Sequence, residues 1–462
     1  MLVVSAAVFL GIAATLLLAL EVVRRQPRER RNQLLRILAV AVALRLALLL
    51  ILQLTGAWQI TTRGAVAPDE AVIDYAARLM VHGDPRSAVT LGGSLHTAWL
   101  LVTASVYELW NNMLAVKLLN VVLGALLVVP SFLLGARLHS DRAGLMAAWA
   151  VALFPNAIAW SALSLREPLI VLVLMTIMLV GLSFGEQGRV LQLALFLGPC
   201  LLVLGFIRAF MFPLMIGLAA VAALVTSLRT RTLRPFAGAV LGSAIGLGLV
   251  LVMPHGPDLA RSTIKLASAQ GASIYNPFSD CSDGTSCTTD VGPSAGAFQE
   301  PGIVKPRAHT TSVLGGKGKK ATSSLQSVRE KGVVRAFGIA ILGGRPVWRL
   351  DEFYFLFQPG VFVWWAILPL ALTGLLSLAY RRKLAEFLVL GGFSGAVIMF
   401  LAFSGQFIRH HFMLEPVGVV LAVVGALTVL ESRSVALRRT VMAATFAMTT
   451  AALVSVATSI GS

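Results

Sequence analysis

Continuous runs of about 20 apolar residues recur along almost the whole 462-residue chain. A helix needs roughly 20 apolar residues to cross a bilayer, and a membrane β-strand would alternate instead. We therefore predict an all-α polytopic membrane protein with about 12 transmembrane helices. The predicted spans are residues 2–22, 34–54, 113–138, 143–165, 168–184, 190–208, 211–228, 235–253, 355–380, 384–404, 412–430 and 438–459.

Polar intervals divide these spans. Residues 95–110 are apolar but short, which is typical of a re-entrant or interfacial helix. Residues 333–350 become apolar again within a long polar interval and predict another interfacial helix. The predicted parts are an extra N-terminal helix with an Arg-rich loop (1–33), a membrane core (34–253) with an outer loop (55–112), an extracytoplasmic loop region (254–354) and C-terminal helices (355–462).

Composition supports the membrane class, because 57% of the residues are hydrophobic and only 13% are charged. The net charge of +17 lies largely in short clusters between spans, which follows the positive-inside rule and orients the chain. Aromatic residues do not interleave with these clusters, so we predict no nucleic-acid partner. The clusters are at 24–31, 137–142, 229–234, 381–383 and 433–439, and one orientation in the cell (inner or plasma) membrane makes all of them cytoplasmic.

The same orientation places the 254–354 interval outside, together with the turns at 166–167, near Arg208 and at 405–411. The run 2–22 has no preceding basic residues, so we interpret it as a retained helix rather than a signal peptide. In CSDGTSC, residues 281–287, Cys281 and Cys287 either form a disulfide or remain two thiols.

An acidic pair follows the second span in APDEAVIDYAARLMVHGD, residues 67–84. Asp74 and Arg78 lie opposite an apolar face, so we predict a short helix on the outer membrane surface. Asp69 and Glu70 have two interpretations. Asp69 caps the helix while Glu70 complements its dipole, or a carboxylate there takes a proton from an acceptor hydroxyl or holds a divalent cation. The apolar face consists of Val72, Ile73, Ala76, Leu79 and Met80.

The stretch SLREP, residues 164–168, begins a later span. Ser164 and Glu167 have capping-box spacing, and Pro168 suits a first helical turn. Capping alone explains these residues. Alternatively, Arg166 points towards an anionic partner and forms a functional pair with Glu167.

Two arginines occupy different membrane depths. Arg208 is predicted in an outer turn, where it either snorkels to the headgroups or holds an anion. Arg45 lies near the middle of the span 34–54, where a charge requires a partner or a function. A buried acid would be a suitable partner.

In GQFIRHHFMLEP, residues 405–416, Arg409, His410 and His411 precede the eleventh span, with Glu415 one turn beyond His411. Cationic groups are unfavourable at a helix start. Either an outer-leaflet phosphate binds them or they anchor the chain to headgroups. Together with the acidic pair, they predict an enzyme that holds a phosphate-bearing lipid while a base activates a second substrate.

The Arg-containing helix LRLALLLILQL is followed by PDEAVIDYAARLMVHGDP, with Tyr75 five residues after the acidic pair. This order resembles the glycosyltransferase C superfamily, which includes protein O-mannosyltransferases and the aminoarabinose transferases of lipid A. KLLNVVLGALLVVPSFLLGARLHSDRAGLMAAWAVALFPNAIAWSALSLREPLIVLVL, residues 117–174, also resembles bacterial polysaccharide-assembly members. The resemblance covers residues 34–185.

The resemblance implies a polyprenyl-phosphate-linked sugar donor and an inverting transfer to a saccharide, lipid or protein acceptor on the outer side. Asp69 would be the catalytic base, and Glu70 would assist it or bind a metal. The cofactor would in that case be a divalent cation. Two parts of the chain depart from the family pattern. One is the extra helix 2–22, and the other is the loop region 254–354, which is neither a clear β-trefoil nor a large periplasmic domain. The expected substrate contacts are Tyr75, Arg166, Glu167, Arg208, Arg409, His410 and His411.

Two alternatives remain. A polysaccharide polymerase or ligase of related architecture would depend on Arg and His rather than on an acid. A flippase or transporter of lipid-linked saccharide would need polar residues throughout the bundle, and the spans show few apart from Arg45.

Overall fold

The structure, a computed structural model, describes residues 21–59, 61–84, 88, 97–184, 189–207, 211–252, 333–342, 353–404 and 411–460. Within these residues all regular structure is helical, which confirms the all-α class. The helices are α1 (Arg28–Thr55), α2 (Pro68–Val81), α3 (Thr97–Leu109), α4 (Met113–Leu126), α5 (Val128–Leu138), α6 (Asp141–Leu153), α7 (Pro155–Ser161), α8 (Glu167–Ser183), α9 (Val190–Ile207), α10 (Met211–Thr230), α11 (Arg234–Val252), α12 (Val333–Leu342), α13 (Gln358–Tyr380), α14 (Leu384–Ser404), α15 (Glu415–Glu431) and α16 (Val435–Ile460).

The chain is a multi-pass membrane protein by the length and composition of its helices. Six stretches of the described residues are long and apolar enough to cross a membrane, or seven if α6 and α7 form one span. Helices α3, α8, α9 and α11 are apolar but shorter. The total of about 12 spans stays a prediction, and the predicted span 2–22 lies almost wholly outside the described residues.

The predicted span 143–165 is broken. Helix α7 begins at Pro155, and its axis is bent by 55° relative to that of α6. Proline lacks a backbone N–H and disfavours helical conformation in the residue before it, and Phe154 accordingly has a ψ of 121°. After α7, residues 162–166 form a buried turn that leads into α8.

Small residues allow the close approach of α13 and α15. A Cβ on Gly374 would lie 2.0 Å from the Leu421 carbonyl oxygen, and one on Gly425 would lie 2.0 Å from the Leu370 carbonyl oxygen. The two backbones are therefore in direct contact, which is a common way for helices to pack in membranes.

Basic segments that are distant in sequence meet at one end of the bundle, which we call the basic end. Arg30 pairs with Asp141 at 2.6 Å, and Arg137 pairs with Glu386 at 3.5 Å. Lys383 Nζ donates to the Arg137 carbonyl oxygen at 2.8 Å. These contacts join the starts of α1, α6 and α14 to the end of α5, as the predicted alternation of loops requires. Helix α2 follows the opposite end of α1.

Candidate active site

Helix α2 buries acidic as well as apolar side chains. The helix itself is as predicted, but Val72 is 46% exposed and Asp74 is only 5% exposed. The assignment of Val72 to the buried face and of Asp74 to the polar face is therefore wrong. The helix packs against α3. Its buried residues are Glu70, Ile73, Asp74, Ala76, Ala77 and Met80.

Glu70 is completely buried, and both of its carboxylate oxygens accept hydrogen bonds. Oε2 accepts from the backbone N–H groups of Val66 at 2.7 Å and Ala67 at 3.0 Å. Oε1 accepts from the backbone N–H and the hydroxyl of Ser164, the latter at 2.8 Å. Glu70 therefore connects the start of α2 to the turn before α8.

Lys117 of α4 is the cation nearest to this carboxylate and is also fully buried. Its Nζ lies 3.8 Å from Glu70 Oε1 and donates to the Gly64 carbonyl oxygen at 2.6 Å. The opposite charges offset part of each other's desolvation. Both oxygens of Glu70 thus face N–H, O–H or ammonium groups.

The surroundings of Glu70 disfavour a metal ion, because a cation needs carboxylate oxygens whose lone pairs are not already accepting hydrogen bonds. A divalent cation at Asp69 and Glu70 stays a prediction, and it would have to replace these hydrogen bonds. Within the described parts of the chain, no group of three or more His, Cys, Asp or Glu side chains is placed to hold a metal ion.

The turn at residues 162–166 is held by side chains from two other helices. Asn120 Nδ2 donates to the carbonyl oxygens of Leu163 and Leu165, both at 2.6 Å. Trp99 Nε1 donates to the Ser164 carbonyl oxygen at 3.0 Å. A buried turn must satisfy its backbone groups, and these bonds do so for three of its carbonyl oxygens.

Arg166 and Glu167 belong to this interior turn. The predicted capping box is wrong, because Arg166 occupies the N-cap of α8 without a side-chain cap bond and the Ser164 hydroxyl bonds Glu70 instead. Pro168 does lie in the first turn. Arg166 is 2% exposed and donates to the Ile207 carbonyl oxygen at 3.3 Å. A substrate would have to enter the bundle to contact this pair.

Asp69 differs from its neighbour because its side chain is exposed. The N-cap of α2 is Ala67, and Pro68 is the first helical residue, so the prediction that Asp69 caps the helix is wrong. Proline suits the first helical position and fixes the helix start before Asp69. The structure therefore places an exposed carboxylate directly beside a rigidly held one.

Asp74 forms a second polar cluster on α2. Its carboxylate lies 3.1 Å from Arg63 Nε and 3.3 Å from Arg78 Nε, and it accepts from the Tyr107 hydroxyl. Burial by itself would lower the pKa of Arg63, but its interactions with Asp74 and Tyr107 together more than offset burial and raise that pKa. The Arg78 guanidinium carbon lies 5.4 Å from the centre of the Tyr75 ring. Tyr75 is thus adjacent to a cation.

Arg45 is buried among neutral groups. Its Nε donates to Ser161 Oγ at 3.2 Å, and its Nη1 donates to the carbonyl oxygens of Ala41 at 2.9 Å and Ala152 at 3.2 Å. The expected acidic partner is therefore replaced by a hydroxyl and two carbonyls. The Ala152 carbonyl is available because α6 ends one residue later.

His411 is 1% exposed, and its Nδ1 lies 3.1 Å from Glu415 Oε1. Asn156 Nδ2 donates to the same oxygen at 2.7 Å, and the Trp364 ring packs edge-on against the imidazole at 4.9 Å. Glu415 is thus a partner of this imidazole, for which the sequence suggested either an outer-leaflet phosphate or anchoring to headgroups. Within the described residues, Glu415 Oε2 and Asn156 Oδ1 have no hydrogen-bond partner.

Five predicted residues lie outside the described residues: Arg208, Arg409, His410, Cys281 and Cys287. Their roles stay predictions.

Sequence reasoning missed several members of the site. Lys117 and Asn120 are three residues apart in an otherwise apolar helix, and ionisable or amide groups within a span indicate buried contacts. The sequence therefore contained a signal for these two residues that the site prediction did not include. Trp99 and Asn156 carry no comparable local signal.

No known family model matches the chain, and no curated protein sequence matches it either.

Proposed function

We propose that this chain is a membrane glycosyltransferase that moves a sugar from a polyprenyl-phosphate-linked donor to an acceptor hydroxyl on the extracytoplasmic side of the cell membrane. The observation that carries the proposal is the exposed Asp69 carboxylate beside Glu70, which accepts four hydrogen bonds. A catalytic base must be held in a fixed geometry, and the buried Glu70 holds the helix start that carries Asp69.

The end of the bundle that carries Asp69 also supports the proposal. Helix α2 lies away from the basic end, where Arg30, Arg137 and Lys383 make their contacts. Under the positive-inside rule the basic end is cytoplasmic. Asp69 would then meet a substrate whose head is in water outside the cell and whose tail is in lipid.

In the proposed reaction Asp69 acts as a general base. It accepts the proton of the acceptor hydroxyl while the acceptor oxygen bonds to the anomeric carbon of the donor sugar. The bond from that carbon to the phosphate oxygen breaks, and polyprenyl phosphate leaves with the bonding electrons. Attack opposite the phosphate inverts the anomeric carbon, and a positioned base contributes a factor of about 10²–10⁴ to such a step.

The departing phosphate requires nearby positive charge. Arg63 and Arg78 both contact Asp74, so two guanidinium groups lie beside α2. Arg78, which has Tyr75 beside it, is the candidate for the phosphate contact among the residues that the structure describes. Arg208 and Arg409 remain proposed for the same role. Glu70 becomes a positioning residue rather than a second base.

Asp69→Asn tests the proposal in membranes supplied with a labelled polyprenyl-phosphate sugar. We expect transfer to fall by a factor of about 100 or more, because the amide cannot accept the proton. Glu108→Gln is the matched control, since Glu108 is an exposed carboxylate at the end of α3. Undiminished transfer by Asp69→Asn would remove the assigned base.

The product distinguishes the alternatives. Transfer of whole lipid-linked chains, without a single-sugar product, would favour a polymerase or ligase. Movement of the labelled lipid across the membrane without any transfer would favour a flippase.

A further inference from the structure

A polar cleft lies where α1 ends and α4 begins, and neither Glu70 nor Lys117 is among its described lining residues. Its volume is about 400 Å³. Among the described residues no large apolar side chain lines it, so the described wall offers no hydrophobic surface to an acyl or polyprenyl tail. The lining residues are Gln53, Gln59, Thr62, Arg63, Gly64 and Asn112.

The cleft offers hydrogen-bonding atoms that the fold itself leaves unused. Gln59 uses its Nε2 on the Leu52 carbonyl, and Asn112 uses its Oδ1 to cap α4. Within the described residues, Gln59 Oε1, Asn112 Nδ2, the Gln53 amide and the Thr62 hydroxyl make no intramolecular hydrogen bond. Amide and hydroxyl groups that both donate and accept match the hydroxyl groups of a saccharide.

The arginine on the cleft wall is paired with a carboxylate. Arg63 is held by Asp74 through Nε at 3.1 Å and by the Asn111 side chain through Nη2 at 3.2 Å. Because a carboxylate already pairs with this guanidinium, the cleft favours a neutral polar ligand over a phosphate. The arginine remains in place to donate to a hydroxyl group.

Two residues with positive φ occur at the cleft, Gly64 in its lining and Trp58 directly before the lining residue Gln59. Trp58 has a φ of +57°, which is unfavourable for a bulky side chain, and Gly64 has a φ of +88°. A Cβ on Gly64 would lie 3.1 Å from the side-chain amide of Gln53. Backbone strain of this kind is often retained at ligand-binding sites.

The cleft is also close to the proposed base. Gly64 and Asp69 are five positions apart in the sequence, so their Cα atoms are at most about 18 Å apart. The Gly64 carbonyl accepts from Lys117, which lies beside Glu70, so the cleft floor and the start of α2 share one rigid support.

We propose that this polar cleft binds the neutral saccharide part of the acceptor and presents one of its hydroxyl groups towards Asp69. The role as an acceptor site rests on the proposed glycosyltransferase function, whereas saccharide binding itself does not. The distance limit allows a saccharide of a few units to reach from the cleft to the carboxylate.

The test measures binding of a panel of neutral tetrasaccharides of glucose, galactose, mannose or arabinose to the purified full-length protein in lipid nanodiscs. A triple variant, Gln53→Met, Thr62→Val and Asn112→Asp, removes ligand-facing groups, while the introduced carboxylate keeps an oxygen that can cap α4. We expect the parent to bind at least one panel member and the triple variant to bind it at least tenfold more weakly. Thr230→Val, at the opposite end of the bundle, should bind like the parent, and melting temperatures should agree among all three.

Each outcome bears on the cleft alone. Absence of binding by the whole panel, equal binding by the triple variant, or displacement of the saccharide by inorganic phosphate would overturn the inference. Asp69→Asn should bind the saccharide normally even when transfer is lost. If Asp69→Asn instead transfers sugar normally while the triple variant fails to bind, the glycosyltransferase mechanism falls and the saccharide site stands.

Discussion

Replacing Glu70 by Gln separates the structural member of the acidic pair from the proposed catalytic one. The amide keeps one acceptor oxygen but turns an NH2 group towards two of the four donors that surround the carboxylate. Two hydrogen bonds to a charged group are lost, at about 1.5–3 kcal/mol each. Lys117, 3.8 Å away, also loses its counter-charge, and breaking a buried pair costs about 3–5 kcal/mol.

These two estimates describe overlapping interactions and do not add. We expect Glu70→Gln to lower the free energy of unfolding by about 3–5 kcal/mol, against a typical total of about 5–15 kcal/mol. The assay is thermal unfolding of the purified full-length protein in one detergent, followed by tryptophan fluorescence. The variant should melt at least about 5 °C below the parent.

Glu108→Gln and Asp69→Asn are the comparisons, because both replace exposed carboxylates. Each should change the stability by no more than about 0.5 kcal/mol. If Glu70→Gln melts with the parent, the buried hydrogen bonds are not what holds α2. If it melts with the parent and yet abolishes transfer, Glu70 acts on the substrate and the division of roles is refuted.

Three further predictions concern the fold. Gly374→Val should destabilise the protein by about 3 kcal/mol, because its Cβ would meet a backbone carbonyl of α15 at 2.0 Å. Gly395→Val is the control and should be nearly neutral, because nothing lies within 4 Å of its Cβ. Equal melting temperatures of the two variants would contradict the contact between α13 and α15. Gly64→Ala should lower the free energy of unfolding by about 1–2 kcal/mol, because φ is +88° at this position. Its melting temperature should therefore be lower than that of the control Gly395→Ala. A melting temperature equal to that of the parent would refute the strain. Burial, followed by the charge of Arg381, lowers the pKa of His139 below its ordinary value of 6.5. The folded state therefore resists protonation of this imidazole, and the free energy of unfolding falls as the pH drops through about 6.5. Acidification from pH 7.5 to 5.5 should therefore lower the melting temperature of the parent more than that of His139→Gln, and parallel curves would show that His139 does not contribute.

The polar interior bears on how rigid the proposed site is. Asn120 and Trp99 bind the backbone of the turn at residues 162–166, while Glu70 bonds Ser164 of the same turn. Every one of these bonds crosses between helices in a region without access to water. Opening any of them would leave buried polar groups unpaired, so the support of α2 is expected to move little.

Much of the fold follows from local properties of the chain. The lengths of the apolar runs and the positions of the charges are visible in the sequence. They predict the helical class, the positions of spans such as 384–404, and the common end of the basic segments. Helix α2 was also predictable from its periodicity. The break before Pro155 had a signal, since proline disfavours helix in the residue before it, but hydropathy concealed it.

The partners of the buried polar groups were decided by tertiary structure. Ser164 is 94 residues from Glu70, and Asn156 is 259 residues from Glu415. Nothing in the local pattern distinguishes Asp69 from Glu70, yet packing exposes one carboxylate and surrounds the other with donors. A buried charge is stable only where the fold brings it hydrogen bonds and an opposite charge, and the helices that supply them are distant in sequence.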